Sequence, residues 1–310
     1  MASNDQPSTS MEAPTGARAL LTSPYVALFI TMFCWAGATV AVRYLRDDIP
    51  PMGLSFWRNT IAFLVLLPFS VAPLRAQWPV VREHWKIFAL LALLLWVGGN
   101  SLLFLSLQYT IAINAGVINS IEPLFIVLFA WLLFRDAFRW HQGLGLALSL
   151  TGVLVLIAGG SLDRFMELDF NKGDLIATAA YVTWGLYAVL LRKVPKGMDH
   201  RVIALALLGL GSIYLLPIYL LETAFSRPVP ATMLTVIAVL AIAIFASAIP
   251  MILWNFAIMK MGPGRAGQYL HLIPAFTVIM AIAFLDEALA GFHFAGIALI
   301  AAGLIVAARR

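Results

Sequence analysis

Apolar residues run through this chain in blocks of about twenty, broken by short polar stretches, the length a helix needs to cross a hydrocarbon layer about 30 Å thick. Ten such blocks occur, at 24–44, 51–73, 86–108, 112–134, 141–160, 174–193, 201–221, 230–258, 264–285 and 289–308. They leave short turns, two modest loops (74–85 and 161–173) and an N-terminal tail. The tail, 1–23, is rich in Ser, Thr, Asn, Pro and Gly and reads as disordered. It lacks a basic region followed by a short apolar core and cleavage site, so the first block is expected to be retained as a span.

Composition fixes the solvent. Of 310 residues, 62% are hydrophobic and 11% charged, and mean hydropathy is +0.93, against about 25% charged in soluble domains. So few charges cannot cover a water-facing surface, and the solvent must be lipid. A single cysteine, Cys34, rules out a disulfide scaffold, and five scattered histidines show no metal-ligand spacing. No cofactor or metal is called for. The net charge of +5 sits between apolar runs rather than in one patch, which fits a membrane protein and not a nucleic-acid binder. With the N-terminus in the cytoplasm, inside segments carry Arg18, Arg75, Arg82, Lys86, Arg135, Arg139, Arg192, Lys193, Lys196, Arg201, Lys260, Arg265, Arg309 and Arg310. The outside segments carry only Arg43, Arg46, Arg164, Lys172 and Arg227. That bias predicts both termini inside and an even number of spans.

The chain also repeats itself. Shifted by 151 positions, residues 112–155 fall on 263–306 without a gap, matching Ala115/Ala266, Gly116/Gly267, Pro123/Pro274, Phe125/Phe276, Gly145/Gly296 and Gly152/Gly303. A shift of 149 sets Trp35 on Trp184 and Arg43 on Arg192. The halves are spans 1–5 (24–160) and 6–10 (174–308). Five is odd, so the second half enters the membrane inverted, an arrangement typical of secondary transporters with a midplane site between the repeats. The predicted fold class is an all-α integral membrane protein, ten transmembrane helices in two inverted five-helix repeats.

The stretches AGVINSIEPLFIVLFAWLLFRD (115–136) and AGQYLHLIPAFTVIMAIAFLDE (266–287), with FCWAGATVAVR (33–43) and VTWGLYAVLLR (182–192), resemble the repeat signature of the EamA family of the drug/metabolite transporter superfamily. Two departures stand out: Arg135-Asp136 where the family often ends the fourth span in Gly-Glu, and Ile273-Pro274 where the first repeat has Glu-Pro. The resemblance implies ten helices, inverted repeats and export of small metabolites, and within the family it is greatest to the YddG-type exporters of aromatic and other amino acids.

Polar groups inside spans are costly and usually face a bundle interior or a wet cavity. Asn119 and Glu122 share one face of span 4, Gln268 and His271 one face of span 9, and Trp96 and Asn100 one face of span 3. Span 6 carries Tyr181, Trp184 and Tyr187, span 1 Trp35, and span 8 Trp254 and Asn255. Together they suit a cavity for a small zwitterion with an apolar side chain. The plainer reading makes the aromatics an interfacial belt, the amides interhelical glue, Glu122 a cap for backbone donors beside Pro123, and His271 a packed, hydrogen-bonded histidine. Pro123 and Pro274 are candidate hinges, as matched kinks within spans 4 and 9. Arg58, about seven residues into span 2, is expected to snorkel outward. GPGRAG (262–267) matches the dinucleotide fingerprint G-x-G-x-x-G, but without a strand before it reads as a tight turn. No Walker A motif is present, so ATP is not expected to drive the protein directly.

These features predict a secondary transporter exporting amino acids, aromatic ones included, by alternating access, rather than an enzyme. The alternatives are an exporter of another metabolite, such as a nucleoside or vitamin, and, more remotely, an integral-membrane enzyme, for which no converging cluster of acids and bases is visible. The expected location is a bacterial inner (plasma) membrane. The expected partners are the solute, the lipid bilayer and, where bundles pair, a second copy as a homodimer; nucleic acid is not among them.

Overall fold

A computed structural model describes residues 23–45, 48–106, 109, 118–137, 139–159, 161, 163, 171–285 and 290–308. The chain it describes is helical throughout. In order, the elements are α1 (Pro24–Leu45), α2 (Pro51–Glu83), α3 (Trp85–Ala92, continuing through a π-helical Leu93–Ser101 into Leu102–Ser106), α4 (Glu122–Phe134) and α5 (Trp140–Ile157). There follow α6 (Lys172–Leu190), α7 (His200–Phe225) and α8 (Met233–Ile242, π-helical Ala243–Ala248, then Ile249–Met261). α9 comes in pieces, Pro263–Gln268, a 3-10 turn Tyr269–His271 and Leu272–Leu285, and α10 is Gly291–Ala308. Nearly all of the expected tail lies outside the described residues, as does most of the 161–173 loop.

Local chemistry sets the boundaries. Asn171 and Asp174 form a reciprocal capping box at the start of α6, each accepting a backbone N–H at 2.7 Å. Asp199 caps α7 through Arg201 N at 2.8 Å, and the Arg201 side chain, bonded back to it, holds the Asp199 carboxyl below its ordinary range. Gly262, at φ 88°, ends α8 and Pro263 starts α9, so the turn is confined to Gly262 and the rest of GPGRAG is the first turn and a half of a helix, not the tight turn expected.

Seven helices are long and apolar enough to cross a membrane among the described residues: α1, α2, α5, α6, α7, α8 and α10. Trp85–Ser101 and α4 are apolar but shorter, and the last piece of α9 is 14 residues. Two boundaries differ from those expected. α2 does not stop at 73 but continues to Glu83 through Pro73 and Pro79, absorbing most of the predicted 74–85 loop. Its 33 residues span about 50 Å, well beyond the hydrocarbon thickness, so its last turns leave the apolar layer. α4 opens at Glu122, and 110–117 lie outside the described residues.

The packing pairs helices across the two halves. α1 lies against α8 and α9, α6 against α3 and α4, α2 against α7, and α5 against α10. A shift of about 150 residues turns the α1–α8 pair into α6–α3 and α1–α9 into α6–α4. α2 and α7 are bound along their length: Phe56 stacks on Tyr219 at 4.8 Å, and Asn59 Nδ2 donates to Leu208 O at 2.8 Å and Ser212 Oγ at 3.0 Å. At one end the Glu222 carboxylate accepts the backbone N–H groups of Met52 and Gly53; at the other Gln77 Oε1 accepts from Asp199 N. Large apolar side chains such as Phe225, Met233 and Leu175 stay exposed on the outer faces, as a lipid solvent allows.

Candidate functional site

The aromatic residues singled out in the sequence gather around the two π-helical stretches, with Trp96, Tyr181, Tyr187 and Trp254 buried and Trp35 and Trp184 half-buried. Trp184 Nε1 donates to Leu95 O at 3.1 Å, and Trp35 Nε1 donates to Ala246 O at 3.2 Å. Leu95 and Ala246 are themselves 151 positions apart, so the two indoles make the same bond in the two halves. Leu95 lies in one π-helical stretch and Ala246 in the other, so each indole bonds to a carbonyl of a π-helical turn. Trp35 packs on Trp254 with ring centroids 5.4 Å apart, and Tyr181 on Trp184 at 5.3 Å. Trp96 is buried and donates to Leu207 O at 3.1 Å.

Asn100 links this layer to α2. Its Nδ2 donates to Leu95 O at 3.0 Å, and its Oδ1 accepts from Arg58 Nη2. Arg58 does not snorkel outward: its guanidinium turns into the bundle, 5.8 Å from the centroid of the Trp96 ring. A buried amide acceptor and an aromatic face give the cation a better partner than the bilayer surface would, and neither is visible from α2 alone. Tyr187 and Asn255 are joined directly, Tyr187 Oη donating to Asn255 Oδ1 at 2.7 Å.

Glu122 is buried at the start of α4, where the helix dipole favours a carboxylate, and it interacts electrostatically with Tyr181. No hydrogen bond or ion pair reaches it among the described residues. Asn119, half-buried, likewise makes no hydrogen bond there. His271 is 1% exposed, with Nδ1 2.6 Å from Ser149 Oγ and Nε2 3.0 Å from Ser120 O. Both ring nitrogens are engaged by α5 and the turn before α4, so the structure places His271 at a packing junction rather than on an open face. The prolines are placed differently from mid-helix kinks. Pro123 is in the first turn of α4, and Pro274 is the third residue of the α-helical piece that follows the 3-10 turn of α9. At these positions a missing N–H leaves no helical bond unmade.

The open space lies elsewhere. A cavity of about 530 Å³ sits between the ends of α4, α6 and α8 and the start of α9. Arg139, Arg192, Lys196 and Arg265 line it, with Gln142 and Gln268. Asp136 is bonded to Arg192 at 2.6 Å, and Arg192 in turn lies over the Phe134 ring at 4.5 Å. Of the residues predicted from sequence, only Gln268 reaches this cavity. The sequence carried the signal for the basic mouth, in Arg139, Arg192, Lys196 and Arg265, but those cations were read only as markers of orientation.

Comparison with known proteins identifies the class. The sequence matches the EamA-like transporter family twice, over residues 22–158 and 171–309. The protein belongs to that family, within the drug/metabolite transporter superfamily, and is an integral membrane protein. Among curated relatives, an uncharacterized transporter of Archaeoglobus fulgidus is 28% identical over 267 residues, covering 85% of this chain and 89% of its own. The transporter YyaM of Bacillus subtilis is 26% identical, covering 88% and 90%. A protein of Streptantibioticus cattleyicolor named "Probable terminal-alkyne amino-acid exporter" is 26% identical over 286 residues, covering 92% and 93%. One solved structure, titled "Crystal structure of protein", superposes with a TM-score of 0.78 at 22% identity, over 93% of this chain and 96% of that one; it speaks for the fold alone.

Proposed function

We propose that this protein is a secondary transporter that exports amino acids, aromatic ones included, from the bacterial cytoplasm by alternating access. In this reading ten helices cross the plasma membrane as two inverted repeats with both termini inside. The observation that carries it is the one-sided cavity. It opens at the Lys/Arg-rich ends of the helices, which the charge bias puts in the cytoplasm, and none of Trp35, Trp96, Trp184 and Trp254 lines it. In this reading the cavity is the mouth of an inward-open state. The exchange of helix pairs under the 150-residue shift, and the matched bonds of Trp35 and Trp184, support a twofold relation between the halves.

The amino-acid assignment rests on the aromatic and amide character of the layer beyond the cavity, on the similarity of the repeat stretches to YddG-type exporters, and on the printed function of the Streptantibioticus relative. Within the layer Trp35, Trp184 and Trp254 would face the solute ring, Asn100, Asn119 and Gln268 its polar groups, and Glu122 its ammonium or a coupled proton. Proteoliposomes holding only this protein, tested with a panel of labelled amino acids, nucleosides and vitamins, check the reading. Translocation of aromatic amino acids is the expected result. Chemical turnover without translocation would sink it.

A further inference from the structure

The cavity carries more information than its position. Its lining holds four cations against one carboxylate, and that carboxylate is already bonded to Arg192. Arg139, Lys196 and Arg265 make no side-chain hydrogen bond or ion pair among the described residues. A positive rim alone is what any cytoplasmic helix end shows. A second, independent feature lies one helical turn deeper. Asn255 shares a face of α8 with the cavity-lining Ile258 and Met259, and Tyr187 lies one turn from Leu191 in the same lining. Asn255 is 0% exposed, and its Nδ2 has no hydrogen-bond partner. With Oδ1 accepting from the Tyr187 hydroxyl, the orphaned atom is the N–H donor that a carboxylate would need. An orphaned amide inside a membrane bundle is costly and marks a group awaiting a partner. Trp254, the residue before it on α8, packs on Trp35 with ring centroids 5.4 Å apart.

We infer that the cavity recognises its solute by a carboxylate: the Arg139, Lys196 and Arg265 rim draws the anion in, and the Asn255 amide receives it at the inner end. The Trp35–Trp254 rings then meet an apolar or aromatic side chain. This rests on the transporter reading and deepens it by naming the group recognised. The two contributions differ in kind. The rim acts through space and is screened by salt, whereas the amide acts at hydrogen-bond distance and is not.

The test is equilibrium binding to the full-length protein in nanodiscs of neutral phosphatidylcholine. Three probes sort the chemistry: indole-3-acetate (ring and carboxylate), tryptamine (ring and ammonium) and tryptophan. Indole-3-acetate and tryptophan are expected to bind and tryptamine not to bind. Lys196→Gln and Arg265→Gln should each weaken indole-3-acetate by about fivefold at low salt and flatten its salt dependence, while Arg265→Lys should restore both. Asn255→Leu should weaken it about tenfold or more with the salt dependence unchanged. Equal binding of tryptamine, or rim variants that behave as the parent, overturns the inference. So does folded protein that binds none of the three. In nanodiscs containing phosphatidylglycerol, rim variants that alter only lipid retention would assign the cavity to a lipid headgroup and overturn it as well. Failure here is separable from failure of the transporter reading. Translocation without carboxylate preference removes only this inference, and carboxylate binding without translocation removes only the other.

Discussion

The α5–α10 contact offers a stringent check on the packing, because there two backbones touch with nothing between them. A Cβ built on Gly145 would lie 2.5 Å from Gly303 O and 2.7 Å from Ala307 N. One built on Gly303 would lie 2.5 Å from Gly145 O and 2.6 Å from Ser149 N. Ordinary contact begins near 3.4 Å, so alanine at either position must push the helices apart by roughly 1 Å, and backbone atoms cannot rotate away. Overpacking of this kind costs about 1–3 kcal/mol, which at about 2–4 °C per kcal/mol lowers Tm by roughly 2–12 °C. The separation also pulls Ser149 from His271 Nδ1, now 2.6 Å away, so the damage should spread to α9. Gly145→Ala and Gly303→Ala are expected to destabilise similarly, and the double variant by less than their sum, since the first displacement makes room for the second. Gly264→Ala, where nothing lies within 4 Å of the added carbon, serves as the control. Thermal unfolding in detergent measures all four. Single variants melting within about 1 °C of the parent would refute the close approach.

Four further outcomes are expected. Trp35→Ala and Trp184→Ala each give up an interhelical bond of about 0.6 kcal/mol and should fold yet transport poorly in proteoliposomes; normal transport by the double variant would return both indoles to packing. Glu122→Gln should keep the melting temperature and remove stimulation of transport by an imposed pH gradient, and undiminished stimulation would exclude this carboxylate from coupling. Single cysteines at Asp163 and Lys196, in a Cys34→Ser background, should react with an impermeant thiol reagent from opposite sides of the membrane; labelling from one side would end the inverted-repeat proposal. Pro123→Ala and Pro274→Ala, at helix starts rather than at kinks, should leave access unbiased as read by cysteine accessibility at the cavity mouth, and shifts in opposite directions would restore them as a paired hinge.

Much of the architecture was legible in the sequence because lipid imposes a simple rule, that a helix must stay apolar for as long as it is in hydrocarbon. The rule found where helices run and missed where they stop. Nothing in 74–83 is apolar enough to mark a span, yet α2 continues through it, because a helix leaving the bilayer needs only its internal hydrogen bonds and not a hydrophobic face. The matched residues were legible for a different reason: identity at a fixed shift survives whatever the surroundings do, so Trp35 and Trp184, Gly145 and Gly296, and Gly152 and Gly303 stood out. What those residues touch did not. The indole acceptors are carbonyls of Leu95 and Ala246, and a carbonyl has no sequence signature. Arg58 was misjudged for the same reason, since its partners lie on another helix.

The paired breaks in α4 and α9 belong to this hidden layer, and they change what the prolines can do. Ser120 and His271 are 151 positions apart and meet directly, the Ser120 carbonyl against His271 Nε2 at 3.0 Å. Each belongs to the turn that precedes its own proline. A proline in the first turn stabilises a helix start instead of bending a helix already formed. The flexible points are therefore the turns at 120–121 and 269–271, while Pro123 and Pro274 fix where the α-helices after them begin. Because the two turns are bonded to each other, one cannot reshape without disturbing its counterpart. In a transporter that alternates between two faces, such a bond would couple the halves at their breaks, and Ser149, bonded to the same imidazole, would carry that coupling into the rigid α5–α10 pair.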